Sequence, residues 1–396
     1  MIMAACATVF CGCAAPVRTG LDNVASHKNI FENKRIGIIT NHTGRNSDGK
    51  FIVDIFREMP NVNVTALFGP EHGFEGTAQD AVKITNSDKS PYGVPIYSLY
   101  GTTLKPTEEM LENVDVLVFD IQDIGARFYT YLYTMSLAME AAAEHNKKFV
   151  VLDRPNPINA VTVEGNILEK KFATFVGLYP IPTRYGMTIG ELATMFNRQG
   201  WLKNSVKADL TVIPLTNYKR TYWYDQTGLE FIKPSPNMTS IECASVYPGT
   251  CLFEGMNISE GRGTDTPFLL LGSPWIDSER LSAKLNDLKL AGLKFEPAEF
   301  TPTFSKYKGE RCFGARIIIT DRNAIETFWT GVSLINTIYQ MYSDKIKWYE
   351  RHFDRLCGTD KVRIAIIEGK PLMELKSQWK EDIDEFLNIR KNHLLY

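Results

Sequence analysis

The chain lacks the marks of several large enzyme classes. No G-x-G-x-x-G follows a predicted strand and no G-x-x-x-x-G-K-[ST] occurs, so the backbone cradle that holds nucleotide phosphates is missing. A nicotinamide enzyme is not expected, and no cofactor is implied. The G-x-S-x-G elbow of the common serine hydrolases is absent, as is the helix-borne H-E-x-x-H zinc site. An excess of one charge is also missing. Lys plus Arg number 44 against 46 for Asp plus Glu, a net of -2 that gives no bulk field for nucleic acid. Seven cysteines are present, but Cys6, Cys11 and Cys13 crowd the first thirteen residues. The four in the body, Cys243, Cys251, Cys312 and Cys357, show no zinc spacing and select no disulfide pairing.

What is present is the balance of an ordinary globular protein, with 44% apolar and 23% charged residues over 396 positions. That length suggests two or three domains. The first fifteen residues carry no charge and are too short to span a bilayer, as in the apolar stretch of a secretory signal. Phe10-Cys11-Gly12-Cys13 resembles the end of a bacterial lipoprotein signal, although the usual basic start is missing. The resemblance implies export, lipidation at Cys13 and a periplasmic position at a membrane face.

From residue 30 short β-branched runs alternate with helical patterns, which is how parallel α/β layers are written. Strands are predicted over 35–40, 63–68, 114–120 and 148–152, and helices over 49–58, 107–113 and 130–146. The expected fold is α/β, with a leader over 1–20, a Rossmann-like domain over 21–158 and a smaller α/β domain over 159–396. In the second part, Thr188 and Glu191 form a capping-box pattern, and the prolines of 233–238 demand an extended loop. Strands are expected over 316–320 and 362–367, and helices over 277–290, 323–342 and 371–390.

Open parallel sheets place chemistry beyond the carboxyl ends of their strands. Polar residues cluster there: Asn41-His42-Thr43-Gly44, Glu71-His72 within a Gly- and Pro-bracketed loop, Asp120 to Arg127, and Asp153-Arg154. Glu71 stands out, because no helix needs its side chain and Gly73 lets a ligand approach. The others have ordinary readings as turn residues or caps. Residues 253–264 place carboxylates, amides and Arg262 among glycines, a composition suited to binding rather than to a core. Trp223, Tyr224 and Trp275 are read as core residues before sugar-stacking ones.

Together Asn41-His42-Thr43-Gly44, GPEHGF, DIQDIGARFYTY, LDRPNP, PTRYGMTIGE, KPSPNM, YPGTCLFEGMNISEGRGT and Asp354-Arg355-Leu356-Cys357-Gly358 resemble the NamZ-like exo-β-N-acetylmuramidases, from about residue 20 to the end. The resemblance implies a glycoside hydrolase that removes N-acetylmuramic acid from the non-reducing ends of peptidoglycan fragments, in a cleft between two α/β domains. Such chemistry needs a proton donor and a second carboxylate. Glu71 is the candidate acid, partly desolvated between Phe68 and Phe74, with His72 beside it. Asp120 and Asp123, then Glu260, are candidates for the second role. The lactyl carboxylate of muramic acid calls for an arginine, and Arg127, Arg184 and Arg262 are the candidates. Asn41, Gln122, Asn237 and Asn257 would serve hydroxyls and the acetamide, with Tyr129 and Glu254 also on the substrate side. Two other readings use the same rim: a metal-assisted hydrolase with ligands among His42, Glu71, His72, Asp120 and Asp123, and an exported saccharide-binding protein without chemistry.

Overall fold

The computed structural model describes residues 15–76 and 90–396. Strands β1 (Lys34–Thr40), β2 (Val62–Gly69), β4 (Val116–Asp120) and β5 (Lys148–Leu152) fall on the predicted apolar runs, and a short strand that was not expected, β3 (Ile96–Ser98), joins them. Two-residue alternation explains why these runs are continuous. Ile36, Ile38, Val116, Val118, Val150 and Leu152 face one core, while Ile39, Leu117, Phe119, Phe149 and Val151 face the other. A strand covered on both sides has no polar face to show.

Strands β6 (Glu164–Ile167) and β7 (Pro182–Arg184) form a small antiparallel pair, and β8 (Asp209–Ile213) then returns to the main sheet. The six-stranded order is β3-β2-β1-β4-β5-β8, with every neighbouring pair parallel. The order reverses between β1 and β4, so the loops after these strands diverge and leave a crevice. The first layer therefore runs past residue 158, because β8 and the helix Ile189–Arg198 both pack on it. Residues 17–20 also belong to the fold: Val17 is buried and the Gly20 amide donates to the Asp153 carbonyl at 2.9 Å. The leader, including Cys13, lies outside the described residues.

The second layer is an antiparallel sheet of β9 (Leu270–Ser273), β10 (Leu293–Phe300) and β11 (Cys312–Ile319), in the order β10-β11-β9. Helices Ser278–Asp287 and Thr327–Tyr342 lie near the predicted positions. Helix Ile241–Thr250 crosses Thr327–Tyr342 at a point where only glycine fits, since a Cβ on Gly249 would sit 2.1 Å from the Thr327 carbonyl oxygen.

The run predicted as a strand over 362–367 is the helix Lys361–Ile367. Its β-branched composition suggested a strand, yet Val362, Ala365 and Ile366 are buried at helical spacing while Ile364 and Ile367 are exposed. The four body cysteines are buried free thiols. Among the described residues no helix is long and apolar enough to cross a membrane.

Candidate active site

At the end of β2 the chain turns sharply, with the Gly73 amide donating to the Pro70 carbonyl at 3.0 Å. His72 takes a left-handed backbone (φ +67°), a conformation that costs a non-glycine residue about 1–3 kcal/mol. The turn holds Glu71 half-buried at the wall of a cavity of about 310 Å³. Its carboxylate accepts a 2.7 Å hydrogen bond from the Thr130 hydroxyl. The expected bracket of phenylalanines is absent: Phe68 lies in the sheet core beside Tyr97, and Phe74 packs edge-on to Phe51.

Another part of the lining comes from the C-terminal half of the chain. Glu254 lies in the short 3-10 turn Cys251–Gly255, which packs tightly on the helix Glu350–Cys357. A Cβ on Gly255 would meet the Phe353 Cα at 2.5 Å. Glu254 Oε1 accepts from Arg262 Nη2 at 2.6 Å, and Oε2 lies 3.5 Å from His352 Nε2. Burial pushes the Glu254 carboxyl up, but Arg262 and His352 outweigh it and hold the group well below the usual carboxylate range. Arg355, one helical turn beyond His352, also lines the cavity.

The remaining wall is amphipathic. Tyr129, Tyr247, Phe128 and Phe268 supply aromatic surface, with Tyr247 edge-on to Phe268 at 4.6 Å between ring centres. Asn237 and Ser235 come from the proline-fixed loop, and the buried Asn237 Nδ2 has no hydrogen-bond partner among the described residues. This is the mix a sugar requires, ring faces for its C–H surface and a few fixed polar groups for its hydroxyls.

Of the residues expected from sequence, Glu71, His72, Tyr129, Asn237, Glu254 and Arg262 meet in this cavity. The others do not line it. Asp120 is buried with both oxygens on Arg154, whose Nη2 lies 2.9 Å away. Asp123 accepts from Tyr185 and from the Gly125 amide, and burial pushes it up to about 6. Glu260 pairs with Arg262 and with Lys306 at 2.8 Å.

Arg127 and Arg184 are spent inside the fold. Arg127 donates to the carbonyls of Asn166, Ile181 and Cys357, tying the first layer to the last helices, and burial lowers it to about 10. Arg184 pairs with Glu164 and donates to the Ile158 carbonyl. Asn257 brackets the backbone of Lys345 and Lys347, and Gln122 donates to the Asp123 and Pro155 carbonyls.

Asn41 acts from behind the cavity. It donates to Tyr131 Oη at 3.2 Å, and that hydroxyl donates to the Pro234 carbonyl at 2.7 Å. His42 Nε2 similarly meets the Lys233 carbonyl at 2.8 Å, so the β1 end anchors the loop that carries Asn237. Trp223 is core, packed between Arg184 and Arg322. The ligands considered for a metal are thus divided among separate partners, and no cluster of three His, Cys, Asp or Glu able to hold a metal occurs among the described residues.

Sequence reasoning passed over Thr130, His352 and Arg355. The last two sit in or beside the DRLCG segment, whose helical phase was the missing signal.

The chain is similar to several known proteins. Sequence models of the exo-β-N-acetylmuramidase NamZ N-terminal and C-terminal regions match residues 36–242 and 245–396. The peptidoglycan β-N-acetylmuramidase NamZ of Bacillus subtilis (strain 168) is 48% identical over 382 residues, covering 96% of this chain and 91% of that protein. Two crystal structures of DUF1343 family proteins from Bacteroides fragilis superpose with TM-scores of 0.90 and 0.76. Each is 36% identical and covers 96% of this chain and 99% of its own. With matching regions from residue 36 to the end and a relative at this identity, the chain belongs to the exo-β-N-acetylmuramidase NamZ family.

Proposed function

We propose that this glycoside hydrolase releases terminal N-acetylmuramic acid from peptidoglycan fragments with Glu71 as general acid and Glu254 as the charged partner. The observation that carries this reading is the contrast between two carboxyl groups that line one cavity. Glu71 meets a neutral hydroxyl, while Glu254 meets an arginine and a histidine. Pairs held in such different surroundings divide acid from base work.

In the proposed step the Glu71 carboxyl proton passes to the glycosidic oxygen as the C1–O bond breaks and its electron pair leaves with that oxygen. Glu254, kept ionised, stabilises the positive charge developing at C1. Water then completes the hydrolysis and returns a proton to Glu71. Asn237 Nδ2, a buried donor without a partner among the described residues, suits the acetamide carbonyl. Tyr129 and Tyr247 offer ring faces and edges to the sugar.

The test compares two leaving groups. Glu71→Gln should lose far more turnover on a muramyl disaccharide than on a nitrophenyl muraminide, because nitrophenolate departs without needing a proton. Equal losses on both substrates would remove Glu71 as the acid.

The leader supports a second element of the proposal, export with lipid attached at Cys13. Labelled palmitate should enter the wild-type protein and be lost in Cys13→Ala; an unlabelled product would reject the anchor.

A further inference from the structure

Two arginines line the cavity, Arg262 and Arg355, and they differ in what holds them. Arg262 is shared between Glu254 at 2.6 Å and Glu260 at 3.3 Å, and Glu260 is shared again with Lys306. His352 faces Glu254. Arg355 makes no ion pair with any described residue, and its buried Nε has no hydrogen-bond partner. The acid beside it in sequence, Asp354, is fully engaged by Arg363 at 2.8 and 2.9 Å.

A guanidinium on the wall of a polar cavity, with its own donors unspent, is prepared for a carboxylate from outside the chain. Arg262 already serves two carboxylates of the chain, Glu254 and Glu260. Binding the outside carboxylate at Arg355 breaks nothing. Its position also suits a fixed reader: Arg355 is held in the last turn of Glu350–Cys357, a helix pinned by the contact between Phe353 and Gly255. We infer that Arg355 is the residue that reads the lactyl carboxylate of the muramic acid ring and so separates this substrate from N-acetylglucosamine. The inference rests on the muramidase reading and names its specificity residue.

The experiment uses the full chain, with Arg355→Met and Arg355→Lys. Three nitrophenyl β-glycosides serve as substrates: N-acetylmuraminide as the free acid, the same sugar with its lactyl group as a methylamide, and N-acetylglucosaminide. Loss of a charge-assisted bidentate contact should lower kcat/KM of Arg355→Met on the free acid roughly 10- to 100-fold, mainly through KM. The preference for acid over amide should shrink by the same factor, and Arg355→Lys should recover part of it. A purely structural role would lower all three substrates together and leave the ratio intact. If Arg355→Met fails to fold, the acid-to-amide ratio of Arg355→Lys decides alone, and an unchanged ratio overturns the assignment. Absence of muraminide turnover in the wild type would instead refute the muramidase reading itself.

Discussion

The ends of β2 and β4 lie on the same rim of one sheet, carry comparable acidic loops, and meet opposite fates. After β2 the chain makes a four-residue turn that leaves Glu71 at the cavity wall, hydrogen-bonded to the Thr130 hydroxyl. After β4 the acids fold inward: Asp120 is closed by Arg154, and Asp123 by Tyr185 and the Gly125 amide. A carboxylate available for chemistry is therefore distinguished by what the surrounding chain leaves unpaired, and not by its position after a strand.

The sharpest way to break this comparison is Glu71→Gln. Turnover on the disaccharide should fall roughly 10²- to 10⁴-fold, the usual worth of acid–base catalysis, with the thermal midpoint nearly unchanged. Asp120→Asn should show the reverse pattern. It leaves the buried Arg154 without a counter-charge, which typically costs about 3–5 kcal/mol, so denaturant unfolding should shift strongly while kcat per folded molecule changes little. A catalytic collapse in Asp120→Asn with normal stability would overturn the division between the two loops.

Glu254→Gln probes the second carboxyl group. It keeps shape but removes the charge that Arg262 and His352 sustain, and kcat should drop on the order of 10- to 1000-fold on either leaving group. Because these neighbours outweigh burial, the Glu254 pKa is depressed in the folded state. The stability it contributes is present above the ordinary glutamate range and is lost only as pH falls through the depressed value. Acid unfolding of Glu254→Gln should accordingly begin at higher pH than in the wild type, as followed by circular dichroism.

Thr130→Val carries the smallest expected effect. Without the hydroxyl the Glu71 side chain loses the hydrogen bond that holds it, and kcat should fall several-fold with KM nearly constant. An effect as large as that of Glu71→Gln would mean that Thr130 itself takes part in the reaction.

Legibility differed between the fold and the site. The four central parallel strands, β2, β1, β4 and β5, were readable because burial on both faces forces uninterrupted β-branched runs, whereas the short edge strand β3 and the edge strand β8 were not expected. The helix after Thr188 was readable because its reciprocal cap is local, Glu191 accepting from the Thr188 amide at 3.0 Å. The strand expected over 362–367 failed for the complementary reason, since a short apolar run carries composition without phase. Glu71 was legible as a carboxylate in a loop built for close approach. Arg127 and Arg184 were not legible as internal clamps, because the carbonyls they satisfy lie tens to hundreds of positions away in the chain.

The amino-acid order alone determined the layered α/β plan, the polar rim, the missing nucleotide cradle and the family, since each depends on neighbours within a few residues or on motifs read in place. Only the tertiary structure decided which acids and arginines remain available. Pairing is a matter of distance in space, and a carboxylate or guanidinium whose partner is brought up by folding looks no different in sequence from one left facing a cavity. That is why Asp120 and Arg127 went to the interior, while Glu71, Glu254 and Arg355 were left around the same opening.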